Sequence, residues 1–327
     1  MLRPSSAPHL REVHRPFYRT GGVLLCMIPL TLFSCLYYGI RPLLLVLTGM
    51  LSAMLVELLC CLAMRRRPTL SDGSAAVTGA LIGAMMSPLS PFRIPVMGAA
   101  FAIGVAKMPF GGTGRNIFNP AAAGMAFCAI CFPTRLFTYP DPALNTALPL
   151  FDTTPVITAA SPMAQLSQGG KGTVDWLSLL SGDFAGPIAS AGVLILLASS
   201  LFLCVRRTAS PLIILPYLLI SAIGAALFPR ADVSALTSVQ LELCTGLLLF
   251  TGVFLISDPV TAPRFWLARI VYGVGAGVLV LLLRRFGRYE CCEFFAVLLV
   301  NSFSPLLDRT CWSLWRRFLR WKEGVRA

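Results

Sequence analysis

The chain is 327 residues long, with 56% hydrophobic and only 13% charged residues and a formal net charge of +13. Soluble domains carry about 25% charged residues, so a soluble fold of this composition would have more apolar surface than its core could bury. The positive charge does not indicate nucleic-acid binding, because the basic residues lie at the ends of apolar segments. Composition therefore excludes a soluble globular protein and predicts an integral membrane protein.

Apolar segments recur along the whole chain. A bilayer core about 30 Å thick needs about 20 apolar residues per crossing helix. We therefore predict an all-α polytopic membrane protein with about ten transmembrane helices, in two groups of five. Five helices per group is an odd number, so any relationship between the two halves would be an inverted repeat. The predicted helices lie near 22–38, 43–64, 75–90, 94–109, 120–133, 186–205, 211–228, 239–257, 266–283 and 291–307.

The predicted organisation has five parts. Residues 1–20 form an N-terminal arm and 21–133 the first transmembrane half, whose first helix we expect to be retained because no small-residue cleavage site follows it. Residues 134–185 form a mildly acidic outer-face loop, and 186–308 form the second transmembrane half. Residues 309–327 form a tail that alternates Trp, Leu and Phe with arginine, a pattern typical of an amphipathic helix on anionic lipid.

Arginines at helix ends set the predicted orientation. With ten crossings, the clusters at 11–19, 65–67, 206–207 and 309–322 all lie on one side, which the positive-inside rule makes cytoplasmic. Both termini are then cytoplasmic, and we predict a multi-pass protein of the bacterial inner membrane. One cluster falls on the opposite side and contradicts the rule: Arg284, Arg285 and Arg288.

A glycine-rich turn on the predicted cytoplasmic side is the first candidate binding site. In the segment 107–121, Gly112 and Gly114 allow backbone N–H groups to approach a ligand closely. Arg115 stands just before a helix start, where an anion such as a phosphate would be stabilised. The alternative is a tight turn between helices with an arginine that only sets topology, and composition does not decide between the two.

Ionisable residues at membrane depth are the second candidate group, because charge within a bilayer is costly and usually faces the interior of a helix bundle. Glu57 lies in the middle of a predicted helix, and we interpret it either as part of an ion path or as a buried hydrogen bond to a neighbouring helix. Glu242, Glu293 and Lys107 lie near helix ends, where we expect their side chains to reach the interface.

Motifs of soluble catalysis are absent from the sequence. The two histidines, His9 and His14, both precede the first helix, and there is no phosphate-loop lysine motif, zinc-ligand set or Ser/His/Asp arrangement. The lone Cys128-x-x-Cys131 lacks the further ligands that a metal or cluster needs, so packing is the better interpretation. We predict no catalytic residue and no metal site.

Five motifs follow one another along the chain: SAPHLR (6–11), SDGSAAVTGALIG (71–83), KMPFGGTGRNIFNPA (107–121), SDPVTAP (257–263) and NSFSPLLD (301–308). In this order they resemble the motifs of the D subunit of the Rnf electron-transport complex, and they are similar to those of the homologous B subunit of the sodium-pumping NADH:quinone reductase. The resemblance extends over nearly the whole chain, and the chain's length favours the Rnf subunit.

The resemblance implies a membrane subunit of a multi-protein redox pump, partnered by other membrane and peripheral redox subunits. In that family, electrons pass between ferredoxin and NAD through flavins and iron–sulfur centres while sodium ions or protons cross the bilayer. The family's D subunit carries FMN, linked through its phosphate to a threonine in an outer-face loop, and a second flavin held non-covalently is a further expectation. FMN is thus the implied cofactor.

The flavin-attachment motif is altered in this chain. The family pattern Asp-x-x-Ser/Thr-Gly-Ala-Thr-Pro matches 155–162, where Pro155 replaces the acid, Ala159 the glycine and Ser161 the acceptor threonine. The family's Gly-Glu-Thr-Ser segment corresponds to 189–192, without its glutamate. Ser161 is the candidate for an FMN phosphoester, and the alternative is that it caps a helix that begins at Pro162.

Two other functions remain open from the sequence. The first is a stand-alone channel or transporter for small solutes, with about ten helices and no redox role. The second is a structural paralogue that belongs to a redox complex but has lost its flavin, as the altered motif around Ser161 would allow.

Overall fold

The computed structural model describes residues 16–144, 148–150, 156–167, 175–230 and 233–324. The greater part of the predicted N-terminal arm, with His9, His14 and the motif SAPHLR, lies outside these ranges, as does Pro155 in the predicted loop. Within them the chain is mostly helical, with fourteen α-helices and one two-stranded antiparallel sheet in which Tyr139 is opposite Ala159.

The helices alternate with short turns along the chain. The α-helices are α1 (Pro16–Tyr38), α2 (Arg41–Ala63), α3 (Ser74–Ala84), α4 (Arg93–Phe101), α5 (Pro120–Cys131), α6 (Pro133–Leu136), α7 (Pro162–Ser167), α8 (Trp176–Ser181), α9 (Val193–Val205), α10 (Pro211–Leu227), α11 (Ala235–Cys244), α12 (Leu248–Phe250), α13 (Trp266–Phe286) and α14 (Glu293–Gly324). The strands are β1 (Tyr139–Pro140) and β2 (Thr158–Ala159). Two π-helical segments, Ala102–Lys107 and Thr251–Ile256, continue α4 and α12.

Three of the described helices are long and apolar enough to cross a membrane by themselves: α1 from Thr20, α2 and α13. A fourth candidate is α11 together with the segment Leu248–Ile256, which bends by 61° at the break between them. Each of the ten predicted segments overlaps a helix, but α3, α5, α9 and α10 are shorter, so the number of crossings stays a prediction. Large apolar side chains are exposed along these helices, for example Leu36 at 74% and Leu201 at 68%.

The helix bundle has two ends, which we name by a residue at each. At the Lys107 end, Thr20 at the start of α1 donates to the carbonyl of Asp72 at 2.7 Å. At the Ser161 end, Tyr37 near the end of α1 donates to the carbonyl of Ser181 at 3.0 Å.

Small residues bring α2 and α3 into backbone contact. A Cβ atom at Gly79 would lie 2.7 Å from Met50 Cα, and one at Gly83 would lie 2.6 Å from Val46 Cα. Close approach through small residues is typical of packed membrane helices, which gain little from the hydrophobic effect in lipid. The sequence SAAVTGALIGA of α3 therefore supplies a smooth surface for α2.

Cys128, predicted to pack, is buried between α5 and α4 and donates to the Ile94 carbonyl at 3.6 Å.

Two predicted helices differ from the structure. The segment predicted as one helix at 239–257 breaks after α11, because Gly246 adopts a left-handed conformation with φ of +69°. The predicted tail is not a separate helix, since α14 continues through it to Gly324. The tail packs on the start of α13, where the Trp266 and Trp315 ring centroids are 5.5 Å apart.

Candidate functional site

A cavity of about 340 Å³ opens at the Lys107 end of the bundle, between the ends of α1, α3, α5 and α9 and the π-helical segment Thr251–Ile256. Its walls combine apolar side chains with a few polar groups, which is typical of small-molecule sites. The apolar walls include Val23, Val77, Leu81, Leu203, Val253 and Phe254, and the polar groups include Ser74, Asn116, Asn119, Thr208, Ser257 and Asp258.

Asn119 fixes one wall of this cavity. Its Oδ1 accepts from the backbone N–H groups of Ala121 at 3.0 Å and Ala122 at 3.2 Å, so it caps α5, with Pro120 at the first helical position. Its Nδ2 donates to the carbonyl of Leu255 at 3.2 Å. The Asn-Pro dipeptide therefore starts α5 and ties it to the π-helical segment across the cavity.

Two polar atoms at the cavity have no protein partner. Asn116 Oδ1 and Thr208 Oγ1 are buried and make no hydrogen bond with any residue that the structure describes. Buried polar atoms are almost always paired, because an unpaired one costs about 1–3 kcal/mol. Both residues line the cavity, so an acceptor and a hydroxyl lie in its wall without a partner among the described residues.

The predicted glycine-rich turn contributes only in part. Gly112 and Gly114 have left-handed backbones, with φ of +87° and +86°, and Gly114 lies on the cavity wall together with Thr113. Gly112 and Arg115 are not among the lining residues, and the Arg115 side chain is exposed. The proposed contact of Arg115 with an anion therefore stays a prediction.

Glu57 and Lys107 form a buried ion pair beside the cavity. Lys107 Nζ lies 2.7 Å from Glu57 Oε2, and the two side chains are 1% and 0% exposed. The Thr69 hydroxyl also donates to Glu57. The predicted buried hydrogen bond of Glu57 to a neighbouring segment is confirmed, while its role in an ion path stays a prediction. The expectation that Lys107 reaches the interface is wrong, because a carboxylate inside the bundle offsets the desolvation of its ammonium group.

Ser74 joins this ion pair to two turns, one containing Asp72 and the other Thr113. Lys107 Nζ donates to Ser74 Oγ at 2.6 Å, which also lies 2.6 Å from Asp72 Oδ1 and 2.9 Å from Thr113 Oγ1. The motif segments 71–83 and 107–121 are therefore linked at the cavity mouth by one hydrogen-bond network.

Ser161 lies at the opposite end of the bundle. Its side chain is 3% exposed, its hydroxyl donates to Glu290, and its Oγ accepts from the backbone N–H of Ala164 at 3.1 Å. The predicted capping of the helix that begins at Pro162 is confirmed. Nothing in the sequence around Glu290 indicated this contact, because 129 residues separate the two partners.

A buried ion network lies next to Ser161. Arg284 Nη1 is 2.7 Å from Glu242 Oε2, and Arg284 Nη2 also pairs with Glu293. Arg230 Nε is 2.5 Å from Glu242 Oε1. The expectation that Glu242 and Glu293 reach the interface is therefore wrong, because both are buried against arginine. Arg284 belongs to the cluster that contradicted the positive-inside rule, and its place inside the bundle explains why it lies at this end.

Glu290 lies in the loop between α13 and α14, outside the apolar helices. Burial, followed by the nearby charge of Glu293, raises the pKa of Glu290 from 4.5 to about 8. Its carboxyl group is therefore mostly protonated at neutral pH, so it adds little negative charge to the network around Arg284.

Three residues that line the cavity were not predicted from the sequence: Asn116, Asn119 and Thr208. For Asn119 the signal was available, because Asn followed by Pro before an apolar run marks a helix start. Thr208 gave no signal, because it follows α9 at a position that only tertiary packing brings to the cavity.

Comparison with known proteins identifies the family. Residues 3–313 match the model of the NQR2, RnfD, RnfE family. The D subunit of the Na(+)-translocating ferredoxin:NAD(+) oxidoreductase complex of Acetobacterium woodii is 31% identical, over 94% of this chain and 93% of that protein. The D subunits of the ion-translocating oxidoreductase complexes of Aeromonas salmonicida and Escherichia fergusonii are 34% and 33% identical, over 88% and 94% of this chain and 90% and 96% of those proteins.

These matches confirm the resemblance that the motifs indicated, and they extend through both groups of helices. The range matched by the family model includes the turns at the Lys107 end and the loop around Ser161. The chain is a mostly helical membrane protein, and it belongs to the NQR2, RnfD, RnfE family.

Proposed function

We propose that this chain is the D subunit of an ion-translocating oxidoreductase complex and acts there as a translocase component with other membrane and peripheral redox subunits. The observation that carries the proposal is the family match over residues 3–313. The relatives that share about a third of their residues with this chain bear that name. The chain alone is not catalytic, because electrons must enter and leave through partner subunits.

The proposed placement in a bacterial inner membrane has ten crossings, with the Lys107 end and both termini in the cytoplasm. Arginines 65–67 follow α2 and arginines 206–207 follow α9, and the hydrogen bonds of Thr20 and Lys107 join α1, α3 and the π-helical segment at the same end. These charges favour a cytoplasmic position for that end. The inverted relationship between the two halves remains a hypothesis.

We propose that the cavity at the Lys107 end holds a flavin without a covalent bond. A volume of about 340 Å³ lies in the range of small-ligand sites. The unpaired Asn116 Oδ1 and Thr208 Oγ1 match the donors and acceptors on the edge of an isoalloxazine ring, and the apolar walls match its faces. A bound flavin would supply one- and two-electron transfer.

The residues of the chain would hold and insulate that flavin. Val253 and Phe254 from the π-helical segment and Leu81 from α3 exclude water from the ring faces, while Asn119 keeps the wall of α5 in place. Lys107 lines the cavity and is paired with Glu57, so a change of charge in the cavity would act directly on this ion pair. This contact supports Glu57 as a candidate on the ion path, for Na⁺ or H⁺.

The family resemblance implies a second flavin position, with FMN attached at Ser161. The surroundings of Ser161 in this structure do not fit an attached FMN. A phosphoester would replace the hydrogen that Ser161 donates to Glu290, and its bulk would need space where the side chain is only 3% exposed. The altered attachment motif also argues against FMN at Ser161. We therefore derive no electron-transfer step through Ser161.

Flavin analysis of the purified complex tests the cavity position. We expect acid denaturation to release flavin, and we expect Asn116→Leu and Thr208→Val each to lower the released amount at least about threefold, since each removes a buried hydrogen bond of about 1 kcal/mol. Ser257→Ala, at a cavity residue whose hydroxyl already bonds to the Val253 carbonyl, is the matched control. Unchanged flavin release in both variants would contradict the cavity site.

Intact mass and in-gel fluorescence test Ser161 separately. An added mass of one FMN that disappears in Ser161→Ala would establish covalent attachment, and an unmodified mass would leave only the cavity. A complex that contains this chain but no flavin at either position would favour the structural paralogue. Failure to co-purify with any redox subunit would favour the stand-alone transporter. Ion pumping at full rate by Glu57→Gln would remove Glu57 from the ion path.

A further inference from the structure

A second cavity, of about 540 Å³, lies between α10 and α13 at the Ser161 end. Its walls are almost entirely apolar, and they reach the end of α13, one of the helices long enough to cross a membrane. Gly224 on α10 forms part of the wall, with Leu281 of α13 packed over it. At the same rim Leu227 is 67% exposed, Phe228 66% and Phe286 78%. We call this cavity the α10–α13 groove.

The rim of the α10–α13 groove carries charge, unlike its walls. Arg230, Glu242 and Arg285 line it at the Ser161 end. Arg230 is held by Glu242. Arg285 is exposed, and its Nη1 donates to the carbonyl of Phe228 at 3.1 Å.

Positive charge at this rim is not balanced by the acidic side chains that the structure describes. There, Arg230 and Arg284 pair with Glu242 and Glu293, and no ion pair includes Arg285. Arg285 therefore places a cation beside an apolar groove at the end of α13.

We propose that the α10–α13 groove binds an anionic phospholipid, with an acyl chain against Ile223, Val278 and Leu282 and its phosphate at Arg285. Arginine recognises phosphate oxygens with a planar pair of donors. The groove is too apolar for a free phosphate to fill, and an acyl chain supplies the complementary surface. Arg285 then has a binding role at the end of the molecule where the positive-inside rule disfavours it.

Native mass spectrometry of the detergent-purified complex tests the proposal, with phosphatidylglycerol and phosphatidylcholine as the added lipids. We expect phosphatidylglycerol to bind the intact complex preferentially and Arg285→Gln to weaken that binding about tenfold, because the variant loses the charge and the paired donors that hold the phosphate. Arg264→Gln, an exposed arginine at the start of α13, is the matched control and should leave the binding unchanged. Equal losses in both variants would overturn the proposal.

A second variant separates the lipid from other occupants. Val278→Trp places a bulky side chain in the groove without changing charge, so it should also abolish selective phosphatidylglycerol binding while leaving the unfolding temperature within a few degrees of the parent. Competition by inorganic phosphate alone, with no loss in Val278→Trp, would mean an anion site without a lipid and would overturn the proposal. Protection of the groove by a partner subunit, shown by a cross-link from Val278→Cys to that subunit, would overturn it as well.

Discussion

Arg284 Nη1 lies 2.7 Å from Glu242 Oε2 deep in the bundle, where the two side chains are 1% and 5% exposed. The same guanidinium pairs with Glu293 and donates to the carbonyl of Thr245 at 3.1 Å. One side chain of α13 therefore fastens the end of α11, the break that follows it and the start of α14. The bent segment around Gly246 is held by charge as well as by packing.

Removing Arg284 should destabilise the fold strongly. In Arg284→Met, Glu242 and Glu293 would remain buried without their shared cation, and breaking a buried ion pair from one side costs about 3–5 kcal/mol. We expect a clear fall in the unfolding temperature in detergent, measured by thermal denaturation. Arg285→Ala, the adjacent and exposed position, is the control in the absence of added lipid. Similar unfolding temperatures for both variants would show that the network contributes little.

The pair of Glu57 and Lys107 should behave as a coupled unit. Glu57→Gln and Lys107→Met each leave one buried charge without its partner, while Glu57→Gln combined with Lys107→Met removes both. We expect the double variant to be more stable than the less stable single variant, with a coupling energy in the range of about 0.5–3 kcal/mol. A double-mutant cycle from chemical denaturation measures it. Additive losses would mean that the two side chains do not interact in the folded protein.

Contact between α2 and α3 should not tolerate a side chain at Gly79. A Cβ there would lie 2.7 Å from Met50 Cα, so Gly79→Leu forces two backbones apart and should cost at least about 1–3 kcal/mol. Gly275→Ala on α13, where a Cβ meets nothing within 4 Å, should instead leave stability equal or slightly higher. Unfolding temperatures of the two variants check the contrast, and a stable Gly79→Leu protein would contradict the packing of these helices.

Stability at the Ser161 end should depend on pH through Glu290. Burial raises the pKa of Glu290 from 4.5 to about 8. At pH values between these two, Glu290 is protonated in the folded protein and ionised in the unfolded chain. The contribution of Glu290 is therefore fully present below pH 4.5 and is lost as pH rises through about 8, with a slope of at most about 1.4 kcal/mol per pH unit.

Glu290→Gln is the variant that checks this dependence. It cannot titrate, so its unfolding free energy, compared with that of the parent chain from pH 5 to 8.5, should lack the part of the slope that Glu290 supplies. Identical pH profiles for the two proteins would show that Glu290 titrates in the same way in the folded and unfolded states.

Much of the helical organisation follows from composition, because lipid as a solvent leaves an apolar sequence few alternatives to helices. The starts of α5 and α7 could be predicted for a local reason, since Asn119 and Ser161 each precede proline and cap the helix that follows. The break at Gly246 was not predicted, because its neighbours are held by residues distant in sequence: Arg284 donates to the Thr245 carbonyl, and Glu293 accepts from the Leu247 N–H.

The candidate site was predictable only where its residues share one segment. Gly114 belongs to a recognisable turn, and that turn does reach the cavity. Lys107 looked like an interfacial lysine because its partner Glu57 is 50 residues away. The pairing depends on how α2 packs against the segment after α4, and no local pattern reports that arrangement.

The unbroken course of α14 determines where the carboxyl end of the chain stands. Its 32 residues correspond to a rod of about 48 Å, whereas the hydrocarbon core is about 30 Å thick and helix tilts rarely exceed about 40°. A crossing α14 would be longer than the hydrocarbon core at any such tilt, so part of the helix would lie outside the core. A fluorophore attached after Lys322 would therefore report the sidedness of the molecule without disturbing the packed interior.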